Sequence, residues 1–255
     1  MTILLSGVPF VLVFVFVALA GLVLVQRLLL RRVKLHESHT ETTGVIHQTI
    51  SLVFGVAVAF AIIIAWEQLN TAQATSEHEA SDVVNIYRLA AELPESYRDQ
   101  IQEQALLYAE DVVQEEWPLL AQGQESTNAQ KTMDELRQNV QAFEPTTLAE
   151  QNIDNRLLTN IEELEDNRGL RLLQSQEGIP ALLWIFLVIG AILTVGSTYL
   201  FGKENPRLHM VRIATLAALV AFSLYTIYTL EHPFSREVQV GPDAFERVLE
   251  RMSSD

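Results

Sequence analysis

Four long apolar runs alternate with polar segments along the chain. The runs cover Val8–Leu30, Ile50–Ala65, Pro180–Phe201 and Ile213–Leu230. Arg27, near the end of the first run, is the only Lys, Arg, Asp or Glu inside any of them. A helix of about 20 apolar residues crosses the hydrocarbon core of a bilayer. The pattern therefore predicts an integral membrane protein with four transmembrane helices.

The polar segment between the second and third runs has the periodicity of amphipathic helices. Its first helix is predicted to continue membrane helix two past Trp66 and to end at Pro94, which can begin the next helix. The apolar stripe of this first helix has heptad-like spacing. It comprises Leu69, Ala72, Ser76, Glu79, Val83, Ile86, Ala90 and Leu93.

Three further amphipathic helices are predicted in the same segment. The second ends near Trp117, before a loop that contains Pro118 and residues 121–124. The third is broken by Pro145, and the fourth begins at Thr147, which forms a capping-box pattern with Glu150. Helices joined by such short links pack as an antiparallel bundle. Their apolar faces are Tyr97, Ile101, Ala105, Tyr108 and Val112, then Ala129, Met133, Leu136, Val140 and Phe143, then Ile153, Leu157, Ile161, Leu164 and Leu172.

Together these elements predict an all-α fold: four transmembrane helices with an extramembrane antiparallel helical bundle inserted between helices two and three. Residues 1–67 hold transmembrane helices one and two with a basic cytoplasmic link, and residues 68–178 hold the bundle. Residues 179–230 hold transmembrane helices three and four, and residues 231–255 form a C-terminal extramembrane tail.

The net charge of −15 resides in the inserted segment. From Gln68 to Gly178 there are 22 Asp and Glu against 7 Lys and Arg, which leaves 15 negative charges. Such a surface repels nucleic acid and concentrates cations, so we expect no nucleic-acid partner. The chain has no cysteine, which excludes disulfides and thiolate metal sites.

The basic residues near the membrane lie in the two short links, between helices one and two and between helices three and four. They are Arg27, Arg31, Arg32, Lys34, Lys203, Arg207 and Arg212. Short loops rich in Lys and Arg stay in the cytoplasm, whereas long translocated domains count little. We therefore expect a multi-pass protein of the plasma (inner) membrane whose N-terminus, acidic bundle and C-terminal tail lie on the non-cytoplasmic side. Aromatic anchors at the outer interface would be Trp66, Trp184 and Tyr228.

Helix two carries two kinds of candidate position. Small residues spaced four apart let helix backbones approach closely in lipid, which favours packing within the chain or an oligomer interface. These small residues are Gly55, Ala57, Ala59, Ala61 and Ala65. If helix two instead lines a pore, a mostly apolar stripe would form its constrictions, and Trp66 and Glu67 would lie at the outer mouth. The stripe comprises His47, Ser51, Phe54, Val58 and Ile62.

Charged groups of the bundle are expected to be structural. His78 and Asp82 lie one helical turn apart, but a transition-metal site needs more His or Cys ligands than this pair. Glu79 falls on the apolar stripe and is expected to pair with Arg88 or Arg168. A polar clasp beside Trp117 would comprise Glu115, Glu116, Arg168 and Arg171. No catalytic triad, nucleotide loop or zinc signature occurs, so we expect no enzymatic activity, cofactor or resident metal.

Several short motifs, taken in order, resemble the bacterial bestrophin-like membrane family. They are Phe60-x5-Trp66, Glu79-Ala80, Tyr87-Arg88-Leu89-Ala90, Leu93-Pro94, Tyr108, Glu116-Trp117-Pro118, Ile179-Pro180 with Trp184, His232-Pro233-Phe234 and Val240-x-Pro242-x2-Phe245. The family has a glycine shortly after Pro-Phe, where this chain has Ser235-Arg236. The resemblance covers most of the chain from about Gly44 onward. It gives Glu79, Arg88, Glu116, Trp117, Pro118, Trp184, Pro233 and Phe234 a structural role.

The resemblance implies four membrane helices with a helical domain between helices two and three, as in bestrophin anion channels. In bestrophins that domain is cytosolic, whereas the charge rule places this one outside; we follow the charge rule, because the analogy rests on overall layout alone.

Two functions remain open. The first is a homo-oligomeric ion channel with an acidic vestibule, whose partners are the bilayer, copies of itself and inorganic ions. The acidic charge favours cations and the resemblance favours anions; we give the charge slightly more weight. The second is a membrane-anchored binding, sensing or scaffold module without transport activity.

Overall fold

A computed structural model describes residues 2–28, 38–200, 205–234 and 240–253. Every regular element in these ranges is a helix. The elements are α1 (Thr2–Leu28), α2 (Ser38–Ala90), α3 (Glu95–Asp111), a π-helical segment (Val112–Glu116), α4 (Trp117–Leu120), α5 (Thr127–Gln141), α6 (Leu148–Gln176), α7 (Ala181–Ser197), a 3₁₀ turn (Thr198–Leu200), α8 (Pro206–Leu230) and α9 (Asp243–Met252). Positions named above that lie outside the described residues are Leu30, Arg31, Arg32, Lys34, Phe201, Lys203, Ser235 and Arg236.

The described ranges contain four helical stretches that are long and apolar enough to cross a membrane. They are Gly7–Arg27, Gly44–Ala90, Leu148–Leu200 and Pro206–Leu230. The prediction of an all-α integral membrane protein with four transmembrane helices is therefore confirmed. The chain divides into two compact units, which we call the membrane unit (Met1–Trp66 and Ile179–Glu231) and the bundle unit (Glu67–Gly178 and His232–Asp255).

In the membrane unit, aromatic side chains pack against small residues. α1 lies along α8, where the rings of Phe10 and Tyr225 are 5.8 Å apart. A Cβ on Gly7 would lie 2.7 Å from Tyr225 Cε1, so only glycine permits this approach. The Tyr199 hydroxyl donates a 2.7 Å hydrogen bond to the backbone oxygen of Ala18. Such close contacts are the main source of helix association in lipid, where no hydrophobic driving force acts between helices.

The bundle unit confirms the predicted amphipathic pattern. All eight stripe residues from Leu69 to Leu93 are buried. α2 runs unbroken past Trp66, as predicted. The capping box at α6 is also confirmed, because the Thr147 side chain accepts from Glu150 N while the Glu150 carboxylate accepts from Thr147 N. Together the helices form the predicted antiparallel bundle.

The helical run that begins with α3 continues past Pro118, where a loop was predicted. Proline has no N–H to donate four residues back, and its ring clashes with that carbonyl in a regular α-helix. The chain widens into the π segment just before it, so that Trp117 N–H donates to Val112 O, five residues earlier. The loop starts only at Ala121 and turns at Gly123, whose φ of 65° favours glycine.

Candidate functional site

Four charged side chains from three elements meet in the interior of the bundle unit. Glu79 of α2, Glu116 of the π segment and Arg171 of α6 are 0% exposed, and Arg168 of α6 is 5% exposed. They bring together two carboxylates and two guanidinium groups, so their formal charges cancel. We call these four residues the buried charge cluster.

Arg171 forms the centre of the cluster. Its Nε donates to Glu79 Oε2 at 2.5 Å, and its Nη2 donates to Glu79 Oε1 at 2.9 Å and to Glu116 Oε1 at 2.6 Å. The third nitrogen, Nη1, has no hydrogen-bond partner among the described residues. Instead the guanidinium lies over two rings, 5.2 Å from the centroid of Trp117 and 5.9 Å from that of Phe245. Cation–π attraction is strongest at such desolvated sites.

Glu116 receives its remaining hydrogen bonds from α6 and from the start of α5. Arg168 donates to it twice, from Nη2 to Oε2 at 2.6 Å and from Nε to Oε1 at 3.2 Å. The backbone N–H of Ser126 donates to Oε2 at 3.1 Å. Tyr108 completes the shell by donating its hydroxyl to Glu79 Oε1 at 2.6 Å. Every carboxylate oxygen of the cluster is therefore hydrogen-bonded.

The cluster favours the charged forms of Glu116, Arg168 and Arg171 despite their burial. Burial alone would raise the pKa of Glu116, but the charge of Arg171 and the hydrogen bond from Arg168 outweigh it, so the pKa lies below its ordinary value. Burial alone would lower the pKa of Arg171, but the Glu79 carboxylate holds it above its ordinary value. Burial and the charge of Glu79 raise the pKa of Tyr108, so its hydroxyl keeps its proton.

This arrangement suits a structural role. The cluster is closed to solvent, and each of its carboxylate oxygens accepts at least one hydrogen bond. Trp117 connects the cluster to α9 and to the segment before it. Its Nε1 donates to Val240 O at 3.3 Å, and its ring centroid lies 5.8 Å from that of Phe234 and 6.0 Å from that of Phe245 in α9. The cluster and Trp117 therefore connect α2, the π segment, α4, α6 and α9.

The predicted partners in this region were partly wrong. Glu79 pairs with Arg171, whereas Arg88 is exposed on the opposite face of α2. Glu115 does not join the clasp; it accepts instead from the Ser126 hydroxyl and from Asn128 Nδ2. The hydropathy stripe indicated that position 79 is buried. It could not indicate a partner 92 residues away in sequence.

The other family-like positions lie in both units. In the bundle unit, Pro118 follows the π segment, and the backbone oxygen of Pro233 accepts from Val240 N at 2.7 Å. In the membrane unit, Trp184 Nε1 donates to the carboxylate of Glu231 at 2.6 Å, which joins the start of α7 to the end of α8. No group of three or more potential metal ligands occurs in the part of the chain that is described.

The candidate pore stripe of α2 faces other helices of its own chain. Phe54 and Val58 are buried at 6% and 8% exposure, and Phe54 lies so close to Gly190 of α7 that a Cβ there would be 2.7 Å from its ring. His47 Nδ1 lies 2.7 Å from Ser197 Oγ, also of α7. The two remaining stripe residues, Ser51 and Ile62, are half-buried.

The small residues of α2 divide between two sides of the helix. Ala61 and Ala65 are fully buried within the chain, and Ala57 is half-buried. Gly55 and Ala59 are exposed, and a Cβ on Gly55 would meet nothing within 4 Å. Trp66 and Glu67, the predicted mouth residues, are also exposed. One side of α2 is therefore packed, and the other is open to lipid or to another chain.

Comparison with known proteins gives the family and the fold. The sequence model of the Bestrophin-like domain matches residues 12–245. Curated protein sequences give no match. A single-residue variant of a bacterial bestrophin homologue from Klebsiella pneumoniae gives a TM-score of 0.71 at 10% identity, over 98% of this chain and 100% of that chain.

Two further structures of bestrophin homologues from the same organism agree with this result. A second variant gives a TM-score of 0.69 at 12% identity, over 100% of this chain and 99% of that one. The structure solved by Zn-SAD phasing gives 0.68 at 11% identity, over 97% and 98%. At these identities the structures show a shared fold, and the family model extends over most of the sequence. The protein belongs to the bestrophin-like family.

Proposed function

We propose that the protein is a homo-oligomeric ion channel whose pore is lined by α2. One observation carries the proposal: within the membrane, a whole face of α2 is apolar, free of charge and uncovered by its own chain. Its exposed residues include Leu52 (69%), Val56 (48%) and Ile63 (59%). Membership of the bestrophin-like family supports the same assignment. The runner-up, a membrane anchor for a binding, sensing or scaffold module, needs no such face.

Helical geometry assigns a role to each side of α2. At 3.6 residues per turn, Leu52, Val56 and Ile63 lie opposite the covered side that contains Phe54 and Val58. In a ring-shaped oligomer, the covered side of α2 would pack against the other helices of the same subunit. The opposite side would then face the central axis of the ring. We therefore propose this face, and not the stripe of Phe54 and Val58, as the pore wall. Apolar constrictions of this kind gate by dewetting.

Gly55 and Ala59 lie between those two sides, where a neighbouring α2 would approach. Their spacing of four and their lack of bulk permit close contact between helix backbones in lipid. We propose that this flank forms the contact between subunits. The acidic bundle would supply the field of a vestibule that favours cations over anions.

The absence of cysteine makes a direct test possible. Val56→Cys and Val58→Cys differ by two positions on one helix, one on the proposed wall and one buried. In liposomes that contain the full chain, we expect a charged thiosulfonate reagent to block ion flux through Val56→Cys while flux through Val58→Cys persists. Flux is measured in sodium, potassium, calcium and chloride gradients, and a cationic reagent should react faster than an anionic one.

Three outcomes would contradict parts of this proposal. Block of Val58→Cys alone would return the pore wall to the stripe with Phe54. Faster reaction with the anionic reagent, together with a chloride flux, would reject cation preference. The absence of flux in every gradient would reject the channel and favour the membrane-anchored module.

We further propose that the N-terminus, the acidic bundle and the C-terminal tail lie on the non-cytoplasmic side. Three basic residues support this orientation. Arg27 lies at the end of α1, next to the first short link, and Arg207 and Arg212 lie at the start of α8, next to the second. A reporter fused after Asp255 should be active only outside the cytoplasm, and external protease should cleave the bundle in intact cells. Protection of the bundle in sealed cells would invert this orientation.

A further inference from the structure

A cavity of about 380 Å³ opens in the membrane unit where α2, the 3₁₀ turn and α8 meet. It is lined by His47, Thr198, His209, Arg212, Ile213 and Leu216. The lining residues of α2 and α8 lie at the ends of the second and fourth apolar runs, so the cavity sits at a membrane–water boundary. None of the lining residues belongs to the proposed pore wall of Leu52, Val56 and Ile63.

The rim of the cavity has the chemistry of an anion site. The described residues that line it include one arginine, two histidines and a threonine, and none of these described residues is a carboxylate. Arg212 is exposed and forms no ion pair within the described ranges. Arginine is well suited to phosphate because its planar guanidinium can donate two parallel hydrogen bonds.

The His47 ring is held in place at this rim. The Ser197 hydroxyl donates to the backbone oxygen of Thr194 at 2.9 Å, which uses its only proton. Ser197 Oγ must therefore accept the 2.7 Å hydrogen bond from His47 Nδ1–H. This bond fixes the orientation of the imidazole, since the hydroxyl and Nδ1 have only one arrangement that satisfies both bonds.

The floor of the cavity is apolar, and a helix N-terminus adds positive potential. Ile213 is 1% exposed, and Leu216 is half-buried one turn further along α8. α8 starts at Pro206, so His209 lies in its first turn, where the helix macrodipole favours anions. The Asn205 side chain caps this end by accepting from Arg207 N and Leu208 N. Polar rim and apolar floor together match a phosphate joined to a hydrocarbon portion.

We propose that this cavity binds a phosphate group, supplied either by the headgroup of an anionic glycerophospholipid or by free phosphate. Basic pockets between transmembrane helices on the cytoplasmic side are known to hold anionic headgroups. Arg212, His47 and His209 would surround the phosphate, and Ile213 and Leu216 would contact the glycerol and the first carbons of the acyl chains. A lipid held here would join α2 to α8 at their polar ends.

The test compares two arginines in the first two turns of the same helix. Arg212 lines the cavity, whereas Arg207 is exposed and does not line it. The full chain is purified in neutral detergent and titrated with dioctanoyl phosphatidylglycerol or phosphatidylcholine, and bound lipid is counted by native mass spectrometry. We expect the wild type and Arg207→Gln each to bind one phosphatidylglycerol per chain and to bind phosphatidylcholine more weakly. We expect Arg212→Gln to bind phosphatidylglycerol about tenfold more weakly than the wild type.

Leu216→Trp provides a second variant that fills the cavity without removing a charge, and it should weaken phosphatidylglycerol binding as well. Inorganic phosphate distinguishes the two sources. If it displaces phosphatidylglycerol and stabilises wild type more than Arg212→Gln on heating, the phosphate group alone is recognised; if the lipid stays bound, the whole headgroup is recognised. Equal lipid binding by Arg212→Gln and Arg207→Gln, with no phosphate effect that depends on Arg212, would overturn the proposal. Equal affinity for phosphatidylcholine, which has no net charge, would overturn the headgroup of an anionic lipid as the source of the phosphate.

Discussion

Replacing Arg171 with methionine is expected to lower the free energy of unfolding by about 3–5 kcal/mol, because it leaves a buried carboxylate without its partner. Glu79 would keep only the hydrogen bond from Tyr108, while Glu116 would keep Arg168. The size of the effect comes from the uncompensated charge, since methionine retains most of the side-chain volume. Guanidinium unfolding of the full chain in mild detergent, followed by far-UV circular dichroism, measures the change.

Arg156 offers a matched control on the same helix. It is exposed, so Arg156→Met removes an equal charge and should change the free energy of unfolding by less than about 0.5 kcal/mol. Adding Glu79→Gln to Arg171→Met should restore part of the lost stability, because the unpaired charge is then absent. Equal losses for the two methionine variants, or no recovery in the double variant, would show that the ion pair does not stabilise the bundle.

Replacing Trp117 with alanine is expected to cost a similar amount, about 3–5 kcal/mol, through the cavity left by a large buried ring. The ring is 8% exposed and contacts Phe234, Phe245 and the guanidinium of Arg171. Its loss should also release the chain before α9, since the hydrogen bond to Val240 O disappears. Limited proteolysis should then cleave near Val240 faster than in wild type.

Trp117→Phe separates the ring from the hydrogen bond. Phenylalanine keeps most of the aromatic contact and loses only the Nε1–H donor, so we expect a smaller loss, to which the hydrogen bond itself contributes about 1 kcal/mol. If both variants lost the same stability, the hydrogen bond would outweigh the packing. If neither changed protease sensitivity at α9, Trp117 would not hold this segment.

Hydropathy patterns predicted the fold well because burial has a simple period. The four apolar runs, the unbroken helix through Trp66 and the eight-residue stripe all follow from the spacing of apolar residues along one helix. The capping box at Thr147 was equally readable, because both of its partners lie within one turn. Features of this kind depend only on residues near in sequence.

The buried charge cluster could be predicted only in part, because its members are far apart in sequence. Glu116, Arg168 and Arg171 were recognised as charged residues near Trp117, and the position of Glu79 on an apolar stripe indicated burial. The partner of Glu79 is decided by how α2 and α6 pack, which no local pattern encodes. The π segment was missed because Pro118 commonly marks a helix end; the pattern does not distinguish a break from a widened turn.

The covered side of α2 within the membrane was the hardest feature to predict. Every position from Phe54 to Ile63 is apolar, so hydropathy gives no preference among the sides of the helix. The approach of Phe54 to Gly190 distinguishes them, and it places the candidate stripe on the covered side. The pattern of small residues did not separate the open flank, where Gly55 and Ala59 are exposed, from the packed side, where Ala61 and Ala65 are buried.

The balanced charges of the interior have a consequence for how this sequence can change over generations. Losing any one of the four charged residues leaves an opposite charge buried without a partner. Replacing the four residues by single substitutions therefore passes through a destabilised protein. Replacing all four at once with apolar side chains of similar volume carries no such penalty. Protein design could make all four replacements in one step, whereas evolution by single substitutions would have to pass through the less stable proteins between the two sequences.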